Sequence, residues 1–294
     1  MKNRIALFVL AALLLAVSVA SAKVRVAAST TDIASIASSV GGDDIEIFAI
    51  ARPTNDPHRV EALPSYMVKV ARAQVYLKVG LGLDQWADAI IDGSRNSHVE
   101  VVDCSRGVKV LEKPTGKVDA SMGDVHPDGN PHYWLDPRNA GATARDIADG
   151  LAKVDAAHAS QYHARAEAFA KEADAAYEKG VTTVKPLASH VIFTYHKSWS
   201  YLAEAFGLEV AATVEPVPGI PPTARHLAEL VDTAKARKVG VLIQEPYFSA
   251  DAGKFLNRSA GLRVVTISSS CDGPEAGSYL THVQAVLAAL VGGK

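Results

Sequence analysis

The sequence has few cysteines, no basic tract and no metal motif on a single helix, and each absence excludes a class of protein. With only Cys104 and Cys271 among 294 residues, the fold must rest on a hydrophobic core and not on many disulfides. Whether these two cysteines bond to each other stays open. The formal net charge is −2 and the basic residues are scattered, so neither nucleic acid nor an anionic membrane is an expected partner. Since no HExxH motif occurs, distant segments would have to assemble any metal site.

The first 22 residues predict a secretory signal peptide. Lys2 and Arg4 precede an apolar run over 5–17, and Ala20-Ser21-Ala22 forms a small-residue cleavage site. The run is shorter than the ~20 residues that a membrane span needs. No cysteine follows the cleavage site, so a lipid anchor is not expected. We therefore expect a soluble periplasmic monomer that begins at Lys23.

Short apolar runs rich in β-branched residues alternate with helical patterns along the remaining chain. The predicted strands cover 24–29, 45–50, 75–80, 99–102, 190–195, 208–214, 238–244 and 263–268. Such alternation is typical of βα units on a mostly parallel sheet. The pattern predicts an α/β protein with two lobes, each a parallel sheet flanked by helices.

A long helix is predicted between the lobes. Tyr162, Ala166 and Phe169 recur at helical spacing, with charged residues on the opposite face. We interpret 155–185 as a connector helix between an N-terminal lobe over 23–154 and a C-terminal lobe over 186–294. An ordinary surface helix within one domain is the alternative.

Four polar residues follow predicted strands or precede predicted helices, where α/β sheets place their ligands: His58, His132, His196 and Asp272. Three imidazoles and one carboxylate suit a tetrahedral zinc ion. Spacing alone is a weak signal, because a structural or surface role is the favoured interpretation of each histidine taken singly.

Longer motifs around these residues resemble a known family. They are DPH at 56–58 before a helix that begins with Pro-Ser, NPHYWLDPRNA at 130–140, FTYHKSWSYLAEAFGL at 193–208, and a late loop with Asp272 followed by SYL. In this order they resemble the metal-specific solute-binding proteins of bacterial ABC importers, the zinc branch in particular. The resemblance implies two lobes joined by one long helix and a metal site in the cleft between them. It also implies no catalysis, delivery to an ABC permease in the inner membrane, and a periplasmic zinc metallochaperone as a further candidate partner.

The resemblance places the metal ligands on His58, His132, His196 and Asp272. Manganese binders of the family tend to carry glutamate, a harder oxygen donor, where this chain has His196. Zinc is therefore the expected cargo, with manganese as the alternative. Asp136 or a nearby carbonyl is expected to support His132.

Asp272 departs from the usual family pattern around the last ligand. Cys271, Glu275 and Glu245 are alternatives for its role. The alternative functions are an exported zinc metallohydrolase, whose metal would keep a position open for water, and a metal-dependent surface adhesin.

The segment 112–130 is rich in Gly, Pro and Asp and predicts a mobile loop. His126, Asp124 and Asp128 in this loop could form an accessory site for metal capture. A solvated acidic loop is the interpretation that we favour.

Overall fold

The computed structural model describes residues 22–119 and 122–292, which form two α/β lobes with a long helix between them. Only Ala22 of the predicted signal peptide falls within these residues, and the rest of that peptide lies outside them. Among the helices of the described ranges, none is long and apolar enough to cross a membrane.

The N-terminal lobe is built on a four-stranded parallel sheet in the order β2-β1-β3-β4. Its elements are β1 (Val24–Ala28), α1 (Thr31–Gly41), β2 (Ile45–Ala49), α2 (Pro64–Val70), β3 (Val75–Lys78), α3 (Trp86–Ser94) and β4 (Glu100–Asp103). Val26 at the middle of β1 pairs with Ile47 on one side and Val75 on the other. Because the strands are parallel, the loops after β1, β2 and β3 lie at the same edge of the sheet. The strand order reverses beside β1, and ligands bind at such a switch point in α/β sheets.

The C-terminal lobe repeats this arrangement with the order β6-β5-β7-β8, also parallel throughout. Its elements are β5 (Val191–Thr194), α6 (Ser200–Phe206), β6 (Glu209–Thr213), α7 (Ala224–Arg237), β7 (Val241–Gln244), α8 (Ala250–Ala260), β8 (Arg263–Thr266) and α9 (Ser278–Val291). Side-chain caps fix two helix starts, since Thr223 accepts a hydrogen bond from the N–H of His226 and Ser249 accepts one from the N–H of Asp251. The predicted fold class is confirmed.

Two helices that pack against each other connect the two sheets along the chain. Helix α5 (Ala159–Val184) has 26 residues and follows a 3₁₀ turn at Ala156–His158, within the predicted connector range. Helix α4 (Pro137–Val154) packs along it and has no counterpart among the predicted elements. Asp136 caps α4 by accepting from the N–H of Arg138, and Pro137 occupies the first helical position, where its missing N–H costs nothing.

Helix α1 is bonded to the last loop of the C-terminal lobe. The Thr31 hydroxyl donates to the carbonyl of Cys271 at 2.6 Å, and the Ser35 hydroxyl donates to the carbonyl of Glu275 at 2.7 Å. Asp32, fully buried, accepts from the N–H of Cys271 at 3.0 Å. One hydrophobic core runs through both lobes, and Cys104 and Cys271 are both buried free thiols. The lobes are therefore held together by packing and hydrogen bonds and not by a disulfide.

Candidate metal centre

Three histidines from both lobes converge in the cleft. His58 lies in the loop after β2, His132 precedes a 3₁₀ turn at Tyr133–Leu135, and His196 follows β5 directly. Each ring offers one nitrogen, and these nitrogens all lie within 4.8 Å of one another. The ring centroids are 5.0 to 5.6 Å apart. A single ion about 2.0–2.1 Å from each nitrogen is within reach after a small inward movement.

Two of these histidines are held by the same short motif, Asx-Pro-His. The Asp56 carboxylate accepts from the His58 N–H at 3.0 Å and bonds the His58 Nδ1 at 2.7 Å. The Asn130 amide oxygen accepts from the His132 N–H at 3.0 Å and bonds the His132 Nδ1 at 2.9 Å. In both motifs a proline between the Asx residue and the histidine restricts the backbone. One side-chain oxygen of the Asx residue therefore orients the imidazole two residues later. Nδ1 carries the proton and Nε2 is left as the nitrogen that can bind a metal.

Asp136, one of the two supports expected for His132, does not contact that ring. Its carboxylate caps α4 and forms a forked ion pair with Arg138 at 2.7–3.0 Å. The support comes instead from Asn130, and the Asx-Pro-His repeat is the sequence signal that could have identified it.

The third histidine is oriented from the neighbouring strand. The His196 Nδ1 lies 2.6 Å from Glu215 Oε2, and both side chains are buried. Glu215 follows β6, which pairs with β5, so the parallel register brings it beside His196. No local pattern could have predicted this partner, because it lies in the next strand unit.

The surroundings shift the pKa values of these imidazoles in opposite directions. Burial, with the nearby His58 and His196, lowers the pKa of His132 well below its ordinary value. Burial acts in the same direction on His196, but the hydrogen bond to Glu215 and the charges of Glu245 and Glu215 outweigh it and raise its pKa. His196 therefore takes up a proton more readily than His132 as the pH falls.

A fourth imidazole lies beside this group. His126 stacks on His58 with ring centroids 5.3 Å apart. Its ring is hydrogen-bonded to the backbone of Gly82, and burial lowers its pKa to about 4. Its Nε2 is buried and has no hydrogen-bond partner among the described residues, as is also true of the Nε2 atoms of His58 and His132. His126 is therefore not a solvated side chain, contrary to the interpretation favoured from the sequence.

The loop that carries His126 is docked on the opposite lobe. The Asp124 N–H donates to the carbonyl of Pro218 at 2.9 Å, and the Asp124 carboxylate lies 3.6 Å from Arg59. Asp128 is exposed. Asp124 thus fixes the position of the loop across the cleft mouth.

Asp272 does not join the three histidines. It is exposed, and it is not among the donors within 4.8 Å of one another. The buried N–H of its neighbour Cys271 is bonded to Asp32, which turns this loop toward the N-terminal lobe. Its alternative Glu275 is also exposed.

Glu245 is a buried carboxylate next to the site. It accepts from the Ser198 hydroxyl at 2.6 Å, while its Oε2 has no partner among the described residues. Burial raises its pKa to about 7. It is not part of the group of mutually close donors, so its clearest effect is to add negative charge near His196.

Two parallel-sheet lobes that present imidazoles to a common cleft define a metal-binding solute-binding protein. The family model described as ZnuA, zinc-uptake complex component A, periplasmic, matches residues 26–293, and the chain belongs to this family. Its members are periplasmic or extracytoplasmic binding proteins that act with ABC importer permeases, and they are not enzymes. The predicted family is confirmed and the metallohydrolase alternative is excluded.

Relatives of the chain are named for different metals. The iron-binding protein YfeA of Yersinia pestis is 26% identical over 246 residues, which cover 81% of this chain and 75% of YfeA. A crystal structure of ZnuA matches with a TM-score of 0.79 and 25% identity, covering 92% of this chain and 99% of that one. The laminin-binding protein Lmb of Streptococcus agalactiae, described as having adhesin and metal-transporting activity, matches with a TM-score of 0.76 and 26% identity over 92% and 98% of the two chains.

Proposed function

We propose that the protein captures zinc in the interlobe cleft and delivers it to an ABC permease of the inner membrane. The observation that carries this proposal is the convergence of His58, His132 and His196, each with Nδ1 already bonded and Nε2 left for a metal. A site built from imidazole nitrogen favours zinc over manganese, which prefers oxygen donors. ZnuA relatives support the same choice.

His126 is the fourth donor in this proposal, in place of Asp272. Its ring resembles those of His58 and His132, since its Nε2 is buried without a hydrogen-bond partner among the described residues. Its spacing from His58, 5.3 Å between ring centroids, falls within the range of 5.0 to 5.6 Å found among the three. Since its donor lies outside the mutual 4.8 Å limit, the loop must move inward when the ion binds. Four protein ligands would then complete the tetrahedral shell and leave no open position for a catalytic water.

The first test is the choice of metal. The metal-free protein is expected to bind one equivalent of zinc and to prefer zinc over manganese by at least about tenfold, since the proposed donors are all nitrogen. Competition with a chromophoric chelator gives the zinc affinity, and titration of manganese against bound zinc gives the preference. Equal or tighter manganese binding would remove zinc as the cargo.

The second test concerns His126. We expect His126→Ala to weaken zinc binding about tenfold, because one of four donors is lost while the three preformed donors remain. His190→Ala is the matched control, since His190 is exposed and lies at the far end of β5 from His196. If His126→Ala binds zinc as tightly as the unaltered chain, His126 is not a ligand of the bound ion and contributes at most to weak metal capture.

A further inference from the structure

Asn130 makes contacts in both lobes and uses all of its side-chain hydrogen-bonding capacity. Its Oδ1 accepts both bonds from His132, as described above. Its Nδ2 donates to Glu112 Oε2 at 3.0 Å and to the carbonyl of Lys197 at 2.9 Å. Glu112 belongs to the N-terminal lobe, whereas Lys197 directly follows His196 in the C-terminal lobe. One amide thus connects the segment of one proposed ligand to that of another across the lobe boundary.

The surrounding contacts strengthen this connection. The Tyr201 hydroxyl, buried in the C-terminal lobe, donates to the carbonyl of Asn130 at 2.8 Å and accepts from the N–H of Leu111 at 2.9 Å. The Ser200 hydroxyl donates to the other oxygen of Glu112 at 3.0 Å. The segments at 111–112 and 130 of one lobe are therefore bonded to the start of α6 in the other.

A comparison with Asp56 explains why an amide occupies position 130. The two residues play the same part toward their histidines, but their second side-chain atoms face opposite chemistry. The second oxygen of Asp56 lies 3.9 Å from the Arg59 guanidinium, so a carboxylate is suited there. The second atom of Asn130 faces a carboxylate and a carbonyl, both acceptors, so only a donor is suited there. An aspartate at 130 could still hold His132 but would meet two acceptors.

We propose that Asn130 is a positioning residue that couples His132 to the His196 segment and so holds the two lobes in the register that retains the metal. The proposal rests on the proposed function, since it takes both histidines as ligands. A residue that only oriented His132 could equally be aspartate, as at position 56. The coupling between the lobes requires the Asn130 Nδ2 group, which donates both hydrogen bonds.

The test is Asn130→Asp, which keeps the acceptor for His132 and removes both donors. We expect zinc to dissociate about tenfold faster, in the range found when a supporting group of a metal ligand is lost. Adding Glu112→Gln to Asn130→Asp is expected to restore much of the slow dissociation, because a glutamine amide can donate to the new carboxylate. Stopped-flow transfer of zinc to an excess of chelator gives the rates, and Glu112→Gln alone measures the effect of the second substitution by itself.

An unchanged rate in Asn130→Asp would overturn the coupling, whereas a fast rate that the second substitution does not slow would assign the coupling to the Lys197 contact, which that substitution leaves unrepaired. Should Asn130→Asp not fold, Asn130→Ser removes the contacts to Glu112 and Lys197 without adding a charge, and a rate within experimental error of the unaltered chain would overturn the proposal equally. His132→Ala in the same assay distinguishes failure of the proposed function from failure of the coupling. If zinc binding is independent of His132, the proposed function fails; if it depends on His132 and Asn130→Asp behaves as the unaltered chain, only the coupling fails.

Discussion

Replacing His132 by alanine is expected to lower the zinc affinity at least 100-fold, which is about 2.7 kcal/mol. The substitution removes a donor and also leaves the Asn130 amide oxygen without the imidazole that it orients. Loss of a supporting group alone costs 10–100-fold at metal sites, so the loss of the ligand should cost at least the upper end of that range. Chelator competition at fixed pH measures the change. His58→Ala and His196→Ala should each weaken binding at least tenfold.

The matched control is His98→Ala, since His98 is exposed and follows α3, away from the cleft. It should leave the affinity unchanged. A second readout is the rise in melting temperature on adding zinc, because an ion that binds only the folded state stabilises the folded state by mass action. His132→Ala should lose most of this rise. Near-unaltered affinity in His132→Ala would exclude that residue from the site.

The zinc affinity is expected to fall at least about 30-fold between pH 8 and pH 5, with the fall beginning above the ordinary imidazole pKa of about 6.5. Zinc binds only the neutral ring, so a proton on a ligand histidine competes with the metal. The raised pKa of His196 means that this proton is present at higher pH than usual, whereas the lowered pKa of His132 delays its protonation. Each pH unit below the pKa of His196 therefore costs about a factor of ten.

Glu215→Gln tests the origin of this pH dependence. Glutamine can still accept from the His196 Nδ1 but carries no charge, so the pKa of His196 should fall and the loss of affinity should move to lower pH. The charges of Glu245 and Asp56 also act on His196 and remain in this variant. Profiles normalised at pH 8 are compared, since the substitution also weakens binding. An unshifted profile would show that the Glu215 charge does not govern the titration.

The elements that could be predicted from sequence are those whose signals are local. The eight strands of the described residues coincide with short β-branched runs, and the connector helix coincides with apolar residues at helical spacing. Helix α4 has no counterpart among the predicted elements although its polar and apolar residues do alternate at helical spacing, and alanine and glycine form much of its buried face. Its clearest signal was the Asp-Pro pair at its start, a capping residue followed by proline.

The site could be predicted only in part, for a similar reason. The three histidines stand in recognisable motifs, and the structure brings them together. Glu215 is beside His196 only because two strands pair, and His126 reaches the cleft only because its loop docks on Pro218. Asp272 follows β8, a position where a ligand is expected, but the hydrogen bonds between α1 and Cys271 hold its loop toward the N-terminal lobe. Contacts that depend on tertiary pairing leave little trace in one sequence.

The bonds between α1 and the last loop have a consequence for how the chain folds. Thr31 and Ser35 find their partners 240 residues further along the sequence. Closing so long a segment costs chain entropy before any contact stabilises it, and such contacts slow folding. The buried carboxylate of Asp32 likewise has its hydrogen bond to the N–H of Cys271 only after the C-terminal lobe has formed. An N-terminal lobe that emerges first therefore cannot complete its own interior, and the native state is reached only once nearly the whole chain is present.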